Sequence, residues 1–117
     1  MRQLAGKKIL TPLIAGVIMF LFSMSTSAAV DAVAAKKLAR TDSCLRCHAV
    51  EKKKEGPSYQ SIAYKYKGKT EASDLLFEHL TSGKKVKLSD GHEENHKVAK
   101  AKNDDEIKNL INWILVQ

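Results

Sequence analysis

Cys44-Leu45-Arg46-Cys47-His48 constrains this chain more than any other stretch. Two thiols three positions apart, followed at once by an imidazole, form the pattern of covalent c-type haem attachment. The spacing follows from the chemistry. Thiols one helical turn apart can reach both vinyl groups of a single haem, and the next residue then turns its imidazole toward the iron. Two other readings use the same residues. A thioredoxin-like redox pair needs a βαβ context, and no such context is visible. A zinc site needs more thiolates or a second histidine pair, which His92 and His96 are spaced to supply.

The amino end sets the compartment. Arg2, Lys7 and Lys8 precede an apolar run from Ile9 to Met24, and Ser25–Ala29 offers small residues for cleavage. This is the layout of a secretory signal, and cleavage after Ala28 or Ala29 fits it. The run contains Pro12 and is short against the roughly 20 residues of a membrane span, so the expected division is a signal at 1–29 and one domain at 30–117. The expected location is the periplasm. The uncleaved signal is the one route to a membrane.

Removing that segment changes the totals that matter. The whole chain of 117 residues carries 20 Lys+Arg against 13 Asp+Glu, a net of +7. The signal holds three of the basic residues and no acidic one, which leaves the mature chain at +4. Its Met1, Met19 and Met24 are all the methionines there are. What remains is about 88 residues, a size at which a core is marginal and a cofactor or staple is usually needed.

Helical signals dominate the remainder, with no internal repeat and no series of strands. Ala32–Ser43 is alanine-rich and ends at the cysteine motif. Ser58–Lys67 carries Ile62, Ala63 and Tyr66 at helical spacing and is closed by Gly68. Thr70 or Ser73 is placed to cap a third helix, whose apolar face reads Leu75, Leu76, Phe77 and Leu80 and which Gly83 ends. Lys84–Lys102 is polar, with a short extended piece at Val86–Leu88. Asn103 is a cap candidate for the last helix. Asp104, Asp105 and Glu106 suit its amino-terminal dipole, and Ile107, Leu110, Ile111 and Ile114 form its core face, with Trp113 alongside.

The helix before Cys44, the runs CHAVEKKKEGPSY and IAYKYKG, the helix EASDLLFEHLTSG and the closing DDEIKNLINWIL together resemble a class I cytochrome c. The likeness is to the small bacterial monohaem type similar to cytochromes c8 and c551. It implies an all-α fold of about four helices wrapped around one covalently attached haem. The first and last helices should cross, with Leu38 against Leu110 or Trp113. The resemblance puts Cys44, Cys47, His48, Pro57 and Ile62 around the cofactor, with His48 on the iron and the Pro57 carbonyl holding its other ring nitrogen. A ligating histidine generally donates its second N–H to such an acceptor.

One departure stands out. The family usually supplies a methionine to the far side of the iron from the loop before the last helix, and the mature chain has none. That loop instead holds His92, Asn95, His96 and several lysines. Counted back from the last helix, His96 falls within about one residue of the family's methionine position, and His92 lies four earlier. His96 is therefore the expected sixth ligand and His92 the alternative; Asn95, a lysine or an open position remain. His79, between Glu78 and Leu80, reads as a surface residue. Two imidazoles favour ferric iron more than a thioether does, so a low-spin haem of lowered potential is expected.

Lysines complete the pattern. Lys52, Lys53 and Lys54 follow the cysteine motif, Lys84, Lys85 and Lys87 open the ligand loop, and Lys97, Lys100 and Lys102 follow His96. By resemblance both loops border the haem edge, where Lys52, Lys53, Lys84, Lys85 and Lys97 would dock acidic redox proteins. Nothing indicates a nucleic-acid partner, since no basic motif is interleaved with aromatics. The chain carries no catalytic constellation. The expected role is a monomeric electron carrier rather than an enzyme. The alternatives are a gas-binding or sensing haem protein with a displaceable loop ligand, and a redox subunit of a dehydrogenase.

Overall fold

In the computed structural model, which describes residues 29–117, α1 covers Ala32–Thr41. The expected signal, apart from Ala29, lies outside the described residues. The side chain of Asp31 accepts the Ala34 N–H and so satisfies one of the free donors at the start of α1. Ala35 and Ala39, one turn apart, are fully buried, and their small side chains let another helix come close. The helix stops two residues short of Ser43. Asp42 caps it, and Ser43 takes a left-handed φ of 59°, which turns the chain into a 3-10 turn at Cys44–Arg46.

Helix α2 spans Tyr59–Tyr66, and the Ser58 hydroxyl accepts the Ser61 N–H at 3.1 Å. Helix α3 spans Ala72–Ser82. Neither Thr70 nor Ser73 caps it. Its cap position is Glu71, whose side chain makes no capping bond, and the Thr70 hydroxyl donates instead to the Glu71 carboxylate. Gly83 ends the helix in the left-handed conformation, as its sequence position implied. The apolar face of α3 also differs from expectation. Leu76 is buried, Phe77 and Leu80 are half-buried, and Leu75 is 42% exposed. Residues 72, 76, 79 and 80 share the inner stripe at helical spacing, and residue 75 lies beside it.

Helix α4 spans Asp104–Leu115, and its Asn103 cap accepts the Glu106 N–H at 3.1 Å. Ile107, Leu110, Ile111, Trp113 and Ile114 are all buried on it. It packs on α1, α2 and α3, with the α1 contact the most extensive. Leu38 joins the cluster of Ala35, Ala39, Tyr59, Leu110, Trp113 and Ile114. The Asn109 amide clamps the start of α1, accepting the Asp31 N–H and donating to the Asp31 carbonyl, both at 2.9 Å.

A small antiparallel hairpin interrupts the otherwise helical chain. β1 (Lys85–Lys87) pairs with β2 (Glu93–Asn95) in the register Lys85↔Asn95, Val86↔Glu94 and Lys87↔Glu93. The extended piece expected at Val86–Leu88 is thus present, but as one arm of a hairpin. Its partner Glu-Glu-Asn has no β-forming residue to announce it. Opposite charges at Lys87 and Glu93 favour the pairing, and Gly91 turns the chain at a φ of 92°. Among the described residues no helix is long and apolar enough to cross a membrane.

Candidate functional site

A cavity of about 620 Å³ opens between these elements, in the size range that holds small cofactors. Cys44, Cys47 and His48 line one side, and Pro57 and Ile62 join them, so every residue expected to meet the cofactor borders the same space. Both cysteines are half-buried, and neither is in a disulfide. Burial raises the Cys44 thiol above its ordinary pKa, and the Asp42 carboxylate adds to the effect.

His48 is oriented by its neighbours. The Pro57 carbonyl, 2.7 Å from Nδ1, can only accept, so Nδ1 carries the proton and Nε2 keeps a free lone pair. The loop that brings Pro57 there is sewn to the cysteine motif, with Gly56 N–H donating to Cys47 O and Tyr59 N–H to Ala49 O. Gly56 lies against the ring itself. A β-carbon at this position would stand 2.6 Å from His48 Cε1, closer than atoms pack. The Tyr59 ring stacks on His48 at 5.6 Å and meets Trp113 edge-on at 5.3 Å. Trp113 is core packing, as expected, and Tyr59 passes that packing on to the imidazole.

The opposite wall comes from α3 and the loop after β2. His96 faces His48 with ring centroids 6.3 Å apart and the planes at 52°. Three hydrogen bonds hold this loop in place: His96 N–H to Lys84 O, Ala99 N–H to Leu80 O, and Lys100 N–H to the Asp42 side chain at 2.6 Å. Asn95 also lines the cavity. His92 does not. It is exposed at the hairpin turn, where its Nδ1 and backbone N–H both face the Asp90 carboxylate.

His79 departs from its sequence reading. It is half-buried, lines the cavity, and stacks against His96 with centroids 4.2 Å apart. Its position three residues after Leu76 on the inner stripe of α3 was the signal for this. Burial is the main reason its pKa falls to about 4, and the neighbouring His96 contributes. Burial and then His48 lower His96 as well. Both shifts favour the uncharged ring, and an uncharged imidazole has the lone pair a metal requires.

The donor set fits a haem. The two thiols and the His48 Nε2 line one side of the cavity, and a second neutral imidazole stands opposite. A metal held by two opposed imidazoles, with bonds of roughly 2.0–2.1 Å, sets their centroids roughly 6.3 Å apart. The spacing between His48 and His96 matches that figure.

Asp42 had no assigned role in the sequence. It is buried at the end of α1, two residues before Cys44, and ties the far loop to the point where α1 gives way to the attachment motif. Asp42→Ala is expected to remove about 2 kcal/mol, because the Lys100 N–H loses its partner in a part-buried setting. Thermal unfolding of the haem-loaded variant should show a midpoint lower by roughly 10 °C. An unchanged midpoint would mean that water replaces the carboxylate at no cost.

Comparison with known proteins bears on the same residues. The family model described as Cytochrome c matches residues 32–116. Cytochrome c-552 of Hydrogenobacter thermophilus is 38% identical over 48 residues, 41% of this chain and 49% of that protein. Cytochrome c-551 of Allochromatium vinosum is 38% identical over 55 residues, 47% of this chain and 58% of that protein. The chain thus spans about half the length of these relatives. Among solved structures, the class 1 cytochrome MtoD of Sideroxydans lithotrophicus ES-1 superposes with a TM-score of 0.73 at 53% identity, covering 75% of this chain and 97% of that one. Wild-type cytochrome c552 of Nitrosomonas europaea superposes at 0.57 with 31% identity, covering 69% and 96%. Cytochromes c are electron carriers rather than enzymes, and they hold one covalent haem c at a C-x-x-C-H motif such as Cys44–His48. With a family match that runs from the first residue of α1 to the residue after α4, this chain belongs to the cytochrome c family.

Proposed function

We propose that the protein is a soluble periplasmic electron-transfer protein whose haem iron is held between His48 and His96. The observation that carries this reading is the pair of facing imidazoles, 6.3 Å apart across a cavity that both attachment thiols border. The residues removed with the expected signal at 1–29 contain every methionine of the chain, which leaves the domain at 30–117 without a thioether ligand. The covalent haem supplies a one-electron ferric–ferrous couple. The protein's own groups set its character. The Pro57 carbonyl polarises the His48 N–H and strengthens that ring as a donor. His96 would hold the iron from the other side as a stronger donor than methionine sulfur, which would favour the ferric state and lower the potential. Ile62, Leu76, Leu110 and Ile114 give the cavity an apolar lining.

The absorption and EPR spectra of the purified ferric protein test this reading. A low-spin, bis-imidazole signature is expected, with a midpoint potential below that of histidine–methionine cytochromes. A thioether-to-iron charge-transfer band, or high-spin ferric iron, would sink it.

Docking is the second part of the proposal. Lys87 and Lys97 border the cavity, and Lys52, Lys53 and Lys85 are exposed. Lys84 is exposed too, although it is engaged with Glu78 at 2.9 Å. This basic rim would steer an acidic redox partner onto the haem edge. The rate of electron transfer to such a partner should fall by about tenfold or more as salt rises and screens the charges. Stopped-flow mixing over a salt series measures it, and a flat dependence would remove the lysines from the docking step.

A further inference from the structure

We propose that the open face where the end of α2 meets the end of α4 is a second docking surface, for an acidic redox protein, and that Tyr66 links it to the haem cavity. This rests on the reading of the chain as an electron carrier, and it adds a face to the lysine rim. A second hollow of about 620 Å³ lies there, bordered by Tyr64, Tyr66, Lys67, Lys69 and Val116. Tyr66 also borders the haem cavity, and among the described residues it is the one that borders both. A single aromatic side chain thus stands between the two spaces. Leu76 of α3 and Ile107 and Ile111 of α4 pack against it and hold it in place. Electrons cross proteins by tunnelling, which weakens steeply with distance, so this face offers a short way out.

The chemistry of the face points to the kind of partner. Tyr64 is 82% exposed there and Val116 68%. Tyrosine gives a large contact area at little entropic cost, and it recurs at the centres of interfaces. Beside it, residues 65 to 71 hold Lys65, Lys67 and Lys69 against Glu71 alone. The Lys65 and Lys69 ammonium groups each stand 5.5 Å from the Tyr66 ring centroid. None of the three lysines is in an ion pair among the described residues. An apolar and aromatic centre flanked by unpaired cations complements an apolar centre with an acidic rim. A carrier with two such faces can take an electron at one and give it up at the other.

The probe is an oxidised acidic blue-copper protein, mixed with the ferrous haem-loaded protein by stopped flow at low salt. One electron passes, leaving ferric haem and cuprous copper. The pair Lys67→Glu, Lys69→Glu should slow the second-order rate by about tenfold or more. The pair Lys36→Glu, Lys37→Glu changes the net charge equally, at exposed α1 positions outside both hollows, and should slow it far less. Tyr66→Phe should keep the wild-type rate. Tyr66→Leu should transfer more slowly at saturating partner, with its potential unchanged. Amide NMR shifts on adding the zinc-substituted probe, which accepts no electron, should gather at residues 64–69 and around Val116. No slowing by Lys67→Glu, Lys69→Glu, or equal slowing by both lysine pairs, would overturn the second face. Shifts confined to the rim of Lys52, Lys53 and Lys97 would overturn it too, and leave the rim reading intact. Shifts confined to residues 64–69 would remove the rim and keep the second face. A wild-type rate in Tyr66→Leu would overturn the link through Tyr66. If Tyr66→Leu takes up no haem, Tyr66→Ile against Tyr66→Phe makes the same comparison.

Discussion

His96→Ala is expected to convert the ferric haem from low-spin to almost wholly high-spin. The substitution removes the one loop imidazole that faces His48, and Asn95, its neighbour at the cavity, is a far poorer iron ligand. The iron then takes water or stays open, and added imidazole should restore the low-spin spectrum by filling the gap. His79 is close enough to complicate the result, since its ring already lies against that of His96. The double variant His79→Phe, His96→Ala excludes a ring that swings across. His92→Ala serves as the comparison. His92 sits exposed beside Asp90, outside the cavity, so its loss should leave the spectrum untouched. A low-spin spectrum in the double variant would show that neither distal histidine is the ligand.

Gly56→Ala should have the second largest effect, and it acts from the other side. The added methyl would stand 2.6 Å from Cε1 of His48 and about 3.0 Å from Nδ1, so the ring or the loop has to move. Overpacking of this kind costs about 1–3 kcal/mol. In a domain of this size that lowers the thermal midpoint by roughly 10 °C. The ring shift also strains the bond to the Pro57 carbonyl, the group that makes His48 a strong donor. The potential should therefore rise along with the loss of stability, and less haem-loaded protein should accumulate. Calorimetry and a redox titration on the same sample read both. Full stability with a wild-type potential would mean that the loop around Gly56 gives way freely.

What could be read from the sequence is what local chemistry dictates. The cysteine motif, His48 and Pro57 fall within fourteen residues, and the Pro57 carbonyl lies 2.7 Å from His48 Nδ1, the contact that the family resemblance implied. Asn103 and the acidic turn after it announced α4 because a cap acts on residues three positions away. The misreadings arise where partners are distant in sequence. The Asp42–Lys100 bond spans 58 residues, and nothing in the pattern around either residue signals it. Tyr59 gained its role by meeting both His48 and Trp113, which only the packing of α2 on α4 brings about. The hairpin was hidden because Glu93–Asn95 pairs through its backbone and buries no side chain. His79 is a different case. Helical phase from Ala72 and Leu76 placed it on the inner face, and its polarity outweighed that phase in the reading.

The clasp between α1 and α4 has a bearing on how the chain comes into being. Ala35 and Leu110 touch the same core, although the whole length of the domain lies between them. Closing so long a loop is entropically slow, by about 4 kcal/mol on simple chain statistics. A chain made from its amino end has Cys44 and Cys47 in place before the last helix exists to bury α1. The thiols are available while the fold is still waiting, and a cofactor joined to them in that interval would give the carboxyl end a surface on which to condense.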